Sequence, residues 1–484
     1  MLTKPSLARF LLAFATLAAL LSPLSACDGG PAPALPDAAS PPTADGGPPD
    51  AAAPALTLEE QLAAIPGLTF EEHDAQQLPG YRIFHLTYDQ PVDHDHPEGQ
   101  RFKQRMFLLH RDASAPMVLG TTGYSLYVRD RYLTEPTELL QANQLMVEER
   151  YFAASTPDPL DWSKLTIRQA AADHHRIAQA FKTIYKKAWI ATGASKGGMT
   201  SIYHARFHPD DLAGVVAYVA PISFGAPDQR YLPFFETVGD ASCRQAIRSF
   251  TRQLLVHRAA LEARVPELTA SRGSHFTQAG ATGAIEGAAA NFEFGFWQYG
   301  DASGCADIPG PTATDDDLWS FIANDVDGNS DETVAFFQAY YVQAYTELGF
   351  PASPTAHLAD LLTGSEFSGL PSSGCCAPYT STPMQEVASW VKTSGKHLLF
   401  IYGQNDPWSG GKFELGQASD SFEFTAPGAN HGASIADLAG VDQQVALDAI
   451  SRWGAASASM KRVTWRSKRP ALREPWMRLP PRLP

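Results

Sequence analysis

The stretch that most narrows what this chain can fold into is 187-KAWIATGASKGGMTSIYHARFHP-209. An apolar run ends in a cluster of small residues, and a helical pattern begins at once. Gly193-Ala194-Ser195-Lys196-Gly197 therefore fits Gly-x-Ser-x-Gly between a strand and a helix. On such a turn the glycines let strand and helix pass close together, and the serine hydroxyl projects above a sheet. The motif alone is weak, because small residues gather in many tight turns. Its surroundings decide.

Those surroundings alternate. YRIFHLTYDQPVDH and FKQRMFLLHR read as two antiparallel strands, leading into the buried run APMVLGTTGY. Residues 142–155 read as a further strand ending in a loop, 165–187 as a helix, and LAGVVAYVAPIS as a strand. KHLLFIYGQNDPW and DSFEFTAPGANHGAS repeat the strand-then-loop pattern, and VDQQVALDAISRWGAA closes with a helix. Such alternation predicts an open, mostly parallel sheet with helices on both faces. Residues 225–395 break the pattern with helical segments and cysteines, and are expected to form a helical insertion. The halves of the sheet domain are expected at 57–224 and 396–460.

A serine hydroxyl becomes a nucleophile when a base takes its proton, and in this architecture the acid and base follow in the order Ser, Asp/Glu, His. Asp406 in YGQNDPW and His431 in GANHGAS each follow a late strand. Carboxyl ends of strands are where open sheets of this kind place ligands. Three residues in the right order make Ser195 nucleophile, Asp406 acid and His431 base. The oxyanion donors expected are the backbone N–H of Lys196 and that of Gly123 or Tyr124 in TTGYS. The Lys196 side chain reads as a solvated charge on the first helical turn.

With these segments in place, the chain resembles the secreted proline-specific tri- and tetrapeptidyl aminopeptidases of bacteria, distant relatives of lysosomal prolyl carboxypeptidase. QPVDHDHPEGQRFKQRMFLLHR, EERYFAASTP, DWSKLTIRQAAADHHRIAQAFK and TGASKGGMTSIYHARFHPDDLAGVVAYVAPIS carry the resemblance, together with the loops around Asp406 and His431. It implies an α/β-hydrolase fold with a helical cap insertion, serine peptidase chemistry with Ser195, Asp406 and His431 as its triad, and peptide substrates. No cofactor is expected. An esterase on the same fold, and a binding module that has kept an enzyme scaffold, are the alternatives to be tested.

An enzyme that removes short N-terminal peptides must hold a free α-ammonium, and a nearby carboxylate offsets the cost of burying it. Glu148 in EERYF is the expected partner, the competing reading being a structural ion pair with Arg150 or a helix residue. His94, Asp95 and His96 read as a turn between strands, with no further cluster to complete a metal site; of His174 and His175, only one can face inward. Trp297, Trp319, Phe336 and Phe337 read as core, or as the walls of a proline pocket.

The ends of the chain carry a different message. Lys4 and Arg9, an apolar run from Phe10 to Leu21, and Leu24-Ser25-Ala26-Cys27 form an export signal whose ending resembles a bacterial lipobox, with Cys27 as the lipidated residue; the alternative is a plain signal peptide cut near Ala26 and a secreted protein. Residues 28–56, mostly Ala, Pro, Gly, Asp, Ser and Thr, read as an extended tether. From 461 to 484, eight Lys and Arg stand against Glu474, a basic tail expected to be disordered or to touch anionic lipid. The net charge of −15 argues against nucleic acid as a partner. In an exported chain Cys243, Cys305, Cys375 and Cys376 permit disulfides; the adjacent pair is expected not to close on itself, each reaching elsewhere or one pair forming with two thiols left free.

Overall fold

The computed structural model describes residues 56–75, 78–126, 132–364 and 375–455. The export signal with Cys27, nearly all of the tether and the basic tail lie outside the described residues.

Nine strands form one sheet: β1 (Leu68–His73), β2 (Arg82–Pro91), β3 (Arg101–His110), β4 (Met117–Thr121), β5 (Asn143–Val147), β6 (Trp189–Ala194), β7 (Gly214–Tyr218), β8 (Leu398–Gly403) and β9 (Phe422–Ala426). Their spatial order is β1-β2-β3-β5-β4-β6-β7-β8-β9. The first three strands and β5 pair antiparallel, and the six strands from β5 to β9 pair parallel. The central strands β4, β5 and β8 are buried along their whole length, as expected of parallel strands covered on both faces.

Helices cover both faces. Thr382–Ser394 and Lys196–Phe207 bury Met384, Val387, Val391, Met199 and Ile202 among Ala217, Leu398 and Phe400 of the sheet. On the other side, Gly440–Trp453 packs Ala446, Leu447 and Ile450 against Val118, Ile190, Val216 and Leu399. This is an α/β-hydrolase arrangement.

Between β7 and β8 the chain leaves the sheet for a layer of helices from Leu232 to Leu348. It has its own core, in which Trp297, Trp319, Phe250 and Ile285 are buried. The helix Thr382–Ser394, expected in the insertion, instead packs on the sheet: its apolar residues recur at helical spacing and find the β7–β8 face. The polar strand β1 (LTFEEH) had no legible period.

Two disulfides close, Cys243–Cys305 and Cys375–Cys376. The second corrects the expectation that the adjacent pair does not close on itself. Cys243 lies in the cap core with Cys305 packed against it, so that pair is already satisfied. Each remaining thiol then has its neighbour as partner.

Candidate active site

β6 delivers the serine. Its apolar residues are buried, and the chain then reverses into the helix Lys196–Phe207. Ser195 sits at φ 55°, ψ −128°, a conformation that a residue with a Cβ adopts only under constraint. The constraint is visible at the glycines. A Cβ on Gly193 would lie 2.4 Å from the Gly197 carbonyl carbon, and one on Gly197 would lie 2.3 Å from Thr121 O. The Ser195 N–H donates to Tyr218 O (2.9 Å), and Thr121 Oγ1 donates to Gly197 O (2.7 Å), so β7 and β4 grip the turn from either side.

β8 and β9 deliver the other two groups. Asp406 is fully buried, and its Oδ1 accepts the Trp408 N–H (3.1 Å). Its Oδ2 accepts His431 Nδ1–H (2.8 Å), which leaves Nε2 in the acceptor form. That nitrogen is buried and, among the described residues, makes no hydrogen bond, to the Ser195 hydroxyl or to any other group. Bonds of this kind commonly tighten when substrate arrives. The histidine loop is tied to the helical layer: the His431 N–H donates to Gln298 O (3.1 Å), and Asn430 Nδ2 donates to Gly300 O (2.9 Å). The Trp408 and Tyr299 rings stand about the imidazole at 6.1 and 6.4 Å.

The loop after β4 lies against the serine turn. A Cβ on Gly123, whose φ is +70°, would be 2.6 Å from the Lys196 carbonyl carbon and 2.5 Å from Gly197 N. Only glycine allows that approach. The Tyr124 N–H turns to Thr122 Oγ1 (3.3 Å), which leaves Gly123 as the better placed of the two expected donors.

Two expectations fail here. Glu148 is wholly buried and saturated. Its Oε1 accepts from Arg105 Nη2 (2.5 Å) and Leu126 N (2.8 Å), and its Oε2 from Ser155 N (3.1 Å) and Ser155 Oγ (2.7 Å). It is a structural ion pair, with Arg105 and not Arg150, and has nothing left for a ligand. Lys196 is not solvated. It is 2% exposed, with its Nζ over the Tyr124 and Phe152 rings and 3.5 Å from Glu149 Oε1. Burial pushes its ammonium below the usual lysine range, and Glu149 opposes that shift.

Sequence reasoning singled out Glu149 beside Glu148 but assigned the role to Glu148, and it missed Glu347. Successive side chains of an extended segment point opposite ways, so Glu148 turns to Arg105 and Glu149 to Lys196. Glu347 comes from the helical layer, and burial raises its carboxyl to about 7 against the pull of the Ile167 N–H, Gln343 and Lys196. No local pattern links residues so far apart.

The other candidates separate cleanly. His94 opens the turn between β2 and β3 and bonds Asp173 (2.6 Å). His174 is buried and bonds Ala170 O, while His175 bonds Asp211 (2.7 Å) and stacks on His208. Beyond the His94 turn, His175, His208 and Asp211 bring ligand atoms within 4.8 Å of one another. The Asp211 oxygens are already taken by His175, His204 and Gln179. Trp297 and Trp319 are core, whereas Phe337 packs its ring against Tyr124 beside the serine turn.

The profile of the PS-10 peptidase S37 family matches residues 51–473. The prolyl tri/tetrapeptidyl aminopeptidase of Streptomyces mobaraensis is 40% identical over 414 residues, which is 83% of this chain and 86% of that protein. Among solved structures, a proline iminopeptidase from Mycobacterium smegmatis is 14% identical, covering 77% of this chain and 100% of its own, with TM-score 0.34. The peroxisomal α/β-hydrolase Lpx1 of Saccharomyces cerevisiae is 12% identical over 78% and 91%, with TM-score 0.36. A strained serine between two obligate glycines, a buried Asp–His pair on neighbouring strand ends and a family match over most of the length converge: this chain belongs to the PS-10 peptidase S37 family and is a serine-type peptidase.

Proposed function

We propose that the protein releases short, tripeptide-sized segments from the free N-terminus of peptides, preferably after proline, through an acyl-enzyme on Ser195. The observation that carries the catalytic part is the Asp406–His431 bond, which fixes the imidazole with Nε2 as acceptor. His431 Nε2 takes the Ser195 hydroxyl proton as the oxygen attacks the scissile carbonyl, and then passes it to the leaving amine. Water, activated by the same nitrogen, hydrolyses the ester and restores the serine. Asp406 holds the tautomer and stabilises the imidazolium. The Lys196 and Gly123 N–H groups receive the oxyanion. The cut after proline, and the size of the piece released, are supported by the 40% identical relative.

The export signal and Cys27 support a further part of the reading: a catalytic domain held on a lipid anchor by the tether, facing peptides outside the cytoplasm. Labelling of the wild type but not Cys27→Ala by a clickable fatty acid would establish the anchor; equal labelling would remove it.

The catalytic reading is tested by hydrolysis of Ala-Ala-Pro-p-nitroanilide, free and N-blocked, with Ser195→Ala as control. Cleavage of the free form, reduced by about 10⁴-fold or more in the control, is expected. Cleavage of p-nitrophenyl esters alone would replace it with the esterase reading, and silence on all substrates with the binding module.

A further inference from the structure

The serine turn adjoins a buried charge cluster that the peptide-bond chemistry leaves unused. Glu149 is 1% exposed; among the described residues its Oε1 has the 3.5 Å contact with Lys196 and its Oε2 has no hydrogen-bond partner. Glu347 is buried in the helical layer, where its Oε1 accepts the Ile167 N–H (2.7 Å) and Gln343 Nε2–H (3.3 Å), and its charge bears on Lys196 and Glu149. Two carboxylates and one ammonium leave the cluster one positive charge short when both acids are ionised. A buried oxygen with no partner is costly unless a ligand completes it.

The cluster also lies where a substrate end would fall. Lys196 directly follows the nucleophile, and the Glu149 N–H donates to Tyr124 O (3.0 Å) in the loop that presses on the serine turn. Glu149 is thus at most the length of one extended lysine side chain plus a 3.5 Å contact away from the turn. The ammonium of an extended tripeptide lies about 10 Å from its third carbonyl, which is a similar reach. The rings of Tyr124, Phe337 and Tyr340 meet beside it at 5.9–6.0 Å and are only partly buried.

We propose that Glu149 and Glu347, with Lys196 among them, form the seat of the substrate's free α-ammonium, and so set the distance from the N-terminus at which the enzyme cuts. This rests on the reading of Ser195 as the nucleophile of an N-terminal exopeptidase. Glu149 offers its empty oxygen and Glu347 a second carboxylate, so bound substrate sets two positive groups against two negative ones. Charge-assisted hydrogen bonds of this kind discriminate strongly against a substrate that lacks the donor.

The test is a cycle between protein and substrate, using the full chain. Ala-Ala-Pro-p-nitroanilide is compared with propionyl-Ala-Pro-p-nitroanilide, which differs only in lacking the ammonium. Wild type is expected to prefer the former by roughly 100-fold in kcat/KM. In Glu149→Gln and Glu347→Gln that preference is expected to shrink by about 10-fold or more, mainly through KM, and Glu347→Asp should restore part of it. Glu347→Gln leaves the Lys196–Glu149 contact in place, so it serves if Glu149→Gln does not fold. An unchanged preference in folded Glu347→Gln and Glu149→Gln would overturn the seat while leaving the peptidase reading intact. A wild type that cleaves both substrates equally well would overturn the exopeptidase reading and the seat together.

Discussion

Glu148, Glu149 and Arg150 are consecutive, yet they belong to two differently built regions. Arg150 and Asp173 form a fully buried knot in which nothing is left over. Arg150 makes two bonds to the Asp173 carboxylate and donates to the carbonyls of Pro91, Val92 and Lys164, while His94 completes the acid. Glu148 is saturated in the same way. Glu149, between them, has an empty oxygen, and His431 has an empty nitrogen. A protein can satisfy buried polar groups when only stability is at stake, and here it does so one residue to either side. Groups left open next to a strained serine are open to something that arrives.

The largest effect that bears on this contrast is expected in the knot. Arg150→Met strips a buried carboxylate of its main partner and is expected to cost about 3–5 kcal/mol, read from the urea midpoint. The preference for a free N-terminus should survive in whatever folds. A stable Arg150→Met with altered preference would erase the distinction between the two regions.

Next comes the pH dependence of Glu347. Its folded carboxyl holds a proton up to about 7, whereas the unfolded chain releases it near the ordinary 4.5. The folded state therefore binds more protons between those values. The resulting stability is fully present below 4.5 and lost as pH rises through 7. Wild type should fall relative to Glu347→Gln by up to about 3 kcal/mol between pH 4.5 and 8. The groups that face this acid are Lys196, Glu149, Tyr203, Gln343 and the Ile167 N–H. Parallel pH curves for the two proteins would mean that burial does not raise the Glu347 carboxyl.

Smallest is Glu148→Gln, which keeps the shape of the group but weakens its bond to Arg105, for about 1–2 kcal/mol. Cleavage preference should stay at the wild-type value. A lost preference here would return the ammonium to Glu148.

How much of this was legible depended on whether the signal was local. The triad could be read because the order of Ser195, Asp406 and His431 along the chain is also the order of the strand ends that carry them. The buried runs of β4, β6 and β8 announce themselves by composition. Glu148 and Glu149 could not be told apart, because the choice is one of parity: β5 is buried on both faces, so no alternation shows which side each residue takes. Glu347 was beyond reach for another reason. Its neighbours Lys196 and Glu149 come from the serine turn and from the segment after β5, and only the folded helical layer brings them near. The solvated reading of Lys196 failed because lysine is usually outside, and nothing in SKGG reports the acids waiting for it.

The two bonds that fasten the His431 loop to Gln298 and Gly300 make the helical layer part of the base's own support. A recognition layer is often treated as an exchangeable attachment, grafted from one relative to another to alter what is cut. In this molecule a graft that fails to reproduce those two carbonyls would also let the imidazole drift, so selectivity and turnover are inherited together.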